Sequence, residues 1–194
     1  MKPLAIAAAL LALQAQPLAA QAPPVAPSEA LIDRFIAVIP DRDEFDRPPS
    51  EIDPAELSGL VALNPGKEAQ VRSILKANLA CTGPAVVAGS HRMLRTVARE
   101  LGEEKLKRLV AFYAGPDYAA FESLAARMEG RADPSDEDKA ALAKLMAAYP
   151  LQAFLDQMNR APEIIAADEG FMAAATKCAT EQMEALEAAG LKSY

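Results

Sequence analysis

The chain has no Trp, a single His and only 5% aromatic residues, and each scarcity removes a class of function. Without Trp and with few rings there is little on which single-stranded bases can stack. The 20 Lys and Arg are outnumbered by 27 Asp and Glu, and a net charge of −7 opposes the phosphate contacts of generic nucleic-acid binding. Nucleic acid is therefore not an expected partner. The lone histidine, in Ser90-His91-Arg92, has no carboxylate within a turn to orient its ring, so it reads as a surface or packed helix residue. One His and two Cys are too few for a buried zinc site. There is no Gly-x-Ser-x-Gly elbow, phosphate loop or dinucleotide fingerprint. Asp41-Arg42-Asp43-Glu44-Phe45-Asp46 alternates acids but lacks the glycine and distal Glu of a calcium loop. No catalytic residue, cofactor or metal site emerges, and the expectation is a protein that is not an enzyme.

What the sequence does contain begins with an address. Residues 1 to 22 open on Met1-Lys2-Pro3, run apolar from Leu4 to Leu13, and end in Pro17-Leu18-Ala19-Ala20-Gln21-Ala22. That layout predicts a secretory signal peptide cleaved after Ala20 or Ala22. A ten-residue apolar run rises about 15 Å as a helix, half a bilayer's hydrocarbon core, so no transmembrane segment is expected once it is removed. The expected location is the periplasm, as a soluble protein. Residues 23 to 27, Pro23-Pro24-Val25-Ala26-Pro27, form an extended leader, and 28 to 194 a single helical domain.

The fold class expected is all-α: an irregular bundle of six or seven amphipathic helices. Ser28 caps a first helix bearing Leu31, Ile32, Phe35, Ile36 and Ile39, and Pro40 stops it. The acid- and proline-rich stretch 41 to 54 reads as a solvated loop. Helical spacing then runs from Pro65 to Thr82, where Gly83-Pro84 ends the pattern, and a new helix runs from Pro84 to Leu101. Leu106, Leu109, Val110 and Tyr113 mark the next helix, closed by Gly115-Pro116, and Tyr118, Phe121, Leu124 and Met128 another. Ser135, with Asp138 three residues on, caps a helix through Tyr149, and Pro150 interrupts it before Phe154, Leu155 and Met158. A last helix from Pro162 to about Ala189 is expected to be the longest. Alternating strand patterns are absent.

In an oxidising compartment Cys81 and Cys178, the only pair, predict one disulfide, with two buried free thiols as the alternative and a redox site the least favoured reading, since no Cys-x-x-Cys is present to lower a thiol's pKa. Arg92, Arg95 and Arg99 fall at i, i+3 and i+7 and make one basic stripe on an acidic chain. Two uses are open to it: contact with an acidic partner or anionic lipid head groups, or intramolecular pairing with the acidic segments 29 to 56 and 163 to 187.

The segment Leu106-Lys107-Arg108-Leu109-Val110-Ala111-Phe112-Tyr113-Ala114-Gly115-Pro116 resembles a family of exported bacterial helical proteins catalogued as domain of unknown function 2059. Phe112, Tyr113 and Pro116 match its Phe-Tyr pair and proline break, and Asp117-Tyr118 follow where the family usually carries a Gly. The likeness covers about forty residues, 90 to 130, and implies a periplasmic helical fold with no established activity. By elimination of catalytic constellations the leading function is a non-enzymatic periplasmic interaction module acting on an unknown protein or envelope component; the alternative is a carrier of an apolar or lipid-like ligand in a pocket lined by Met, Leu and Phe, and a hydrolase using paired carboxylates is the third reading. Protein purified from the periplasm without reductant should begin at Gln21 or Pro23 and, by intact mass, fall two hydrogens below the reduced chain.

Overall fold

The computed structural model describes residues 25–40, 42–128 and 135–193, so the expected signal segment, 1 to 22, lies outside the described residues. Among the described residues there are ten helices and no strand, which makes the fold all-α. The first, α1 (Glu29–Val38), starts where the Ser28 hydroxyl accepts the Leu31 amide at 3.3 Å, a cap contributing about 1 kcal/mol. Its buried face, Ile32, Phe35 and Ile36, is the one that helical spacing selects. Upstream, the Val25 carbonyl accepts the Glu103 amide at 2.9 Å and Pro27 is buried, so the end of the leader is tied to the body.

The stretch read as a solvated loop contains a helical turn, α2 (Arg42–Phe45), and its Phe45 packs against the main core. Arg42 pairs with Asp46 at 3.2 Å, and Asp46 reaches His91 at 2.6 Å. These contacts hold an acidic segment on the body that local composition marks as solvent-exposed. The next helix, α3 (Pro54–Leu63), was not expected. Asp53 caps it by accepting the Ala55 amide at 2.8 Å, and Pro54 stands at its first turn, where a missing N–H costs nothing.

Gly83-Pro84 does not end a helix. One 34-residue helix, α4 (Glu68–Leu101), runs through it, roughly 50 Å long. Leu75 and Met93, both buried, lie eighteen residues apart in this helix, about five whole turns, so the apolar phase is unbroken across the proline. Tertiary packing on both sides of Pro84 overrides the cost of one lost backbone hydrogen bond. Pro48 lies directly against Gly83, where a methyl group would come within 2.8 Å of the proline ring.

After Gly102 come α5 (Glu103–Tyr113), α6 (Pro116–Met128), α7 (Asp136–Ala148) and α8 (Leu151–Asn159), bounded much as the pattern predicts. Ser135 accepts the Asp138 amide at 3.1 Å and donates its hydroxyl to the Asp138 carboxylate at 2.8 Å. The expected last helix is two, α9 (Ala161–Ala166) and α10 (Glu169–Ala188), and it is not the longest. Asp168 breaks it by accepting the Phe171 amide at 2.7 Å and capping α10. At the far end Gly190, at φ +61°, lets the Leu191 amide donate to Leu186 and the Gly190 amide to Glu187. This is a Schellman closure that folds Leu191 back against Leu186.

The buried side chains form two clusters. The larger draws on α1, the C-terminal third of α4, α5 and α8, and centres on Phe112. The Phe112 ring lies 4.8 Å from Tyr149, 5.1 Å from Tyr113, 5.8 Å from Tyr118 and 5.9 Å from Phe121. The smaller consists of Leu60, Val71, Leu75, Leu186 and Leu191. Buried Asn64 clasps it, donating to the Leu60 and Lys192 carbonyls and accepting the Lys192 amide at 2.7 Å. Between them, from Leu75 to Met93, the buried positions of α4 are two glycines, Gly83 and Gly89, with Phe171 closing on the second. Phe112→Ala should cost about 3 to 5 kcal/mol, read as a fall in urea midpoint at unchanged slope.

Candidate functional site

The waist between the two clusters carries the clearest surface feature, a groove of about 700 Å³ open to solvent. One wall is a face of α4, Leu79, Gly83, Pro84 and Val87, and the other is Pro48, Pro49 and Ser50. The absence of a side chain at Gly83 lets Pro48 rest against α4 there, and the groove opens between the two walls. Its lining is carbon except for the Ser50 hydroxyl, the Lys76 ammonium and main-chain atoms. Pro84 has no N–H to donate to the Ala80 carbonyl one turn back, and both residues line the groove. Lys76, at one end, forms no ion pair among the described residues.

The basic stripe lies elsewhere on α4, and each of its arginines is engaged by the chain's own acids. Arg92 grips Asp168 through both Nε and Nη2, the latter at 3.0 Å. Arg95 pairs with Glu29 at 2.8 Å and with Asp33, and Arg99 pairs with Glu29 at 2.8 Å. Of the two uses open to Arg92, Arg95 and Arg99, the structure displays intramolecular pairing, and the contact with an acidic partner or anionic lipid loses the free charges it needs. The stripe fastens α1 and the start of α10 onto α4. Its pairs are partly exposed, so each contributes modestly.

The Asp168 carboxyl is held below the usual carboxylate range by the Arg92 hydrogen bond first and by the Phe171 amide second. The same pair raises Arg92. On the aromatic side, burial pushes the Tyr113 hydroxyl up to about 12. Tyr149 donates to Asp117, which raises its pKa as well. Neither tyrosine is a base at neutral pH, and both serve the packing around Phe112.

Cys81 and Cys178 are joined, with their Cα atoms 5.8 Å apart, and the Asn78 amide donates to the Cys178 carbonyl at 3.1 Å beside them. The carboxylate that His91 lacked locally is supplied by Asp46 from 45 residues away. Among the described residues no Ser, Thr or Cys is hydrogen-bonded to that ring. Among the described residues no group of three or more His, Cys, Asp or Glu is placed to hold a metal ion, and no helix is long and apolar enough to cross a membrane.

Comparison of the chain with protein-family models, curated proteins and solved structures finds no match. The groove residues were passed over in sequence because Gly83-Pro84 and Pro48-Pro49 read as punctuation. The signal that could have found them is the five-turn phase between Leu75 and Met93.

A carboxylate whose pKa is lowered on folding adds stability that is present above its unfolded pKa and lost as the pH falls through the folded one. Asn caps helices as well as Asp does, so Asp168→Asn isolates the ion pair. The variant should have a lower urea midpoint than the parent at pH 7, and the difference should close as the pH falls below the ordinary carboxylate range and through the lowered value of folded Asp168.

Proposed function

We propose that this chain is a non-enzymatic interaction module of the bacterial periplasm, related to the exported helical family that residues 106 to 116 resemble, and that the Pro84 groove is its contact surface. The single observation that carries this reading is the groove itself: an open, carbon-lined channel whose loop wall is seated in the Gly83 notch and whose helix wall belongs to α4. Such a channel gains by covering apolar surface with an extended apolar segment, at about 25 cal/mol per Å² removed from water. The charged stripe, already neutralised internally, takes no part.

A second reading, a carrier of a lipid-like ligand, is favoured by Lys76. An unpaired ammonium at the end of a carbon-lined groove suits an amphiphile with an anionic head, and the volume falls within the range of small-ligand sites. A photoreactive amino acid at Val87 in exported protein separates the two. The module reading expects a discrete protein adduct of one partner, identified by mass spectrometry, that a probe at exposed Glu104 does not give and that Ala88→Arg abolishes. A lipid adduct that Lys76→Glu removes would transfer the assignment to the carrier, and no adduct at Val87 would end both.

A further inference from the structure

We infer that the Cys81–Cys178 disulfide is a redox latch that decides whether the small-cluster end of the molecule stays folded while the large-cluster end persists. The argument starts from the gap in α4. Over the turns between Leu75 and Met93 its buried positions are Gly83 and Gly89, which supply no side-chain core. α10 shows the same poverty, with Cys178 and Leu186 its buried residues. The other apolar side chains of these turns, Leu79, Val86 and Val87, are only half-buried, so the covalent bond stands where α4 and α10 pack with the least fully buried side-chain core.

The small end has little of its own to hold it. Its buried core is five side chains from α3, the start of α4 and the end of α10, plus the Asn64 clasp. A unit of that size, about fifty residues, is in the range where small domains rely on disulfides. The hinge is also prepared. Pro84 already lacks the N–H that would bond Ala80, so separating α4 near residues 80 to 84 breaks one backbone hydrogen bond fewer than elsewhere in the helix. Disulfide, proline and core gap coincide within one turn of α4.

Opening the latch needs a dithiol reductant. Its thiolate attacks Cys81 Sγ, the more accessible sulfur, and Cys178 leaves as a thiolate and takes up a proton. The reductant's second thiol then displaces Cys81. Two cysteine thiols are formed, the S–S bond is broken, and the reductant departs as a cyclic disulfide, having passed two electrons and two protons. Glu181 guards the entry: one of its carboxylate oxygens lies 3.5 Å from Cys81 Sγ and opposes an incoming thiolate, while the other is paired with Lys177 at 3.7 Å, which limits the effect. The groove wall from Lys76 to Ala88 straddles the hinge, so opening dismantles the groove. That consequence rests on the groove reading above, while the opening itself does not.

Hydrogen exchange of the mature protein, oxidised and then held in dithiothreitol, tests the latch. Amides of residues 56 to 80 and 179 to 188 should lose protection by roughly tenfold or more on reduction, while those of 94 to 112 change by less than about threefold. Pro84→Ala should return part of the lost protection in the reduced state, and Glu181→Gln should speed reduction by a few-fold. Uniform loss across all helices, or no loss, would overturn the latch, as would a Cys81→Ser/Cys178→Ser protein unfolded throughout. Loss confined to the small end with the Val87 adduct unchanged in dithiothreitol would uphold the latch and refute the groove as the contact surface.

Discussion

The covalent tie between α4 and α10 is the constraint around which the rest of this molecule is arranged. A helix of 34 residues cannot be buried along its whole length in a domain this small, and α4 solves the problem by packing at its ends and thinning to glycine in the middle. Closing a loop with a sequence separation of 97 restricts the unfolded chain by up to about 4 to 5 kcal/mol in the chain-entropy account, the scale of several buried leucines. That contribution falls where dispersion and hydrophobic burial have least to offer. Pro48 on Gly83 completes the waist by a close approach that only the absence of a β-carbon permits, and Phe171 closes on Gly89 at a distance a β-carbon would make tight.

The large end has a different physics. Phe112, 1% exposed, is ringed by four aromatic side chains, mostly edge to face or tilted, an arrangement that adds attraction to simple burial. Tyr149 reaches it from α7 and Tyr113, Tyr118 and Phe121 from α5 and α6, so one ring cluster fixes three helices. Arg108 supports the same corner by donating to the Ala148 carbonyl at 2.6 Å, at the C-terminal end of α7 where a cation is favoured. The Val25 carbonyl at the head of α5 ties the leader to this end, away from the waist.

Electrostatics on this acidic chain works locally. Arg92, Arg95 and Arg99 are set against Asp168, Glu29 and Asp33, and the sum is a fastening of three helices in place of a patch for a partner. Partly exposed pairs of this kind contribute little to stability on their own, so they orient elements whose association is driven by the core. Asp168 serves twice, as helix cap and as ion-pair partner, and this double use explains why the chain breaks there. Lys76, one of several cations without an ion pair among the described residues, borders the carbon-lined groove.

Most of the helix boundaries were legible in the sequence, because caps and breaks are short-range chemistry: Ser28, Ser135, Gly115-Pro116 and Pro150 each act within one turn. The fold class and the Cys81–Cys178 pairing followed from the 3.6-residue period and from there being only two cysteines. The break inside 162 to 189 is a short-range cap, Asp168 on the Phe171 amide, hidden by the apolar spacing that runs across it. Gly83-Pro84 looks like a stop and 41 to 54 like a solvated loop because each was decided by a residue distant in sequence: Pro48 on Gly83 and Phe45 in the large cluster. The groove was invisible for the same reason, since its two walls are separate segments brought together by that proline–glycine contact. Sequence alone determined the helices and the pairing available to the cysteines, since these depend on neighbours along the chain. Only tertiary structure decided which breaks were real and where the arginine charges were spent, since those depend on neighbours in space.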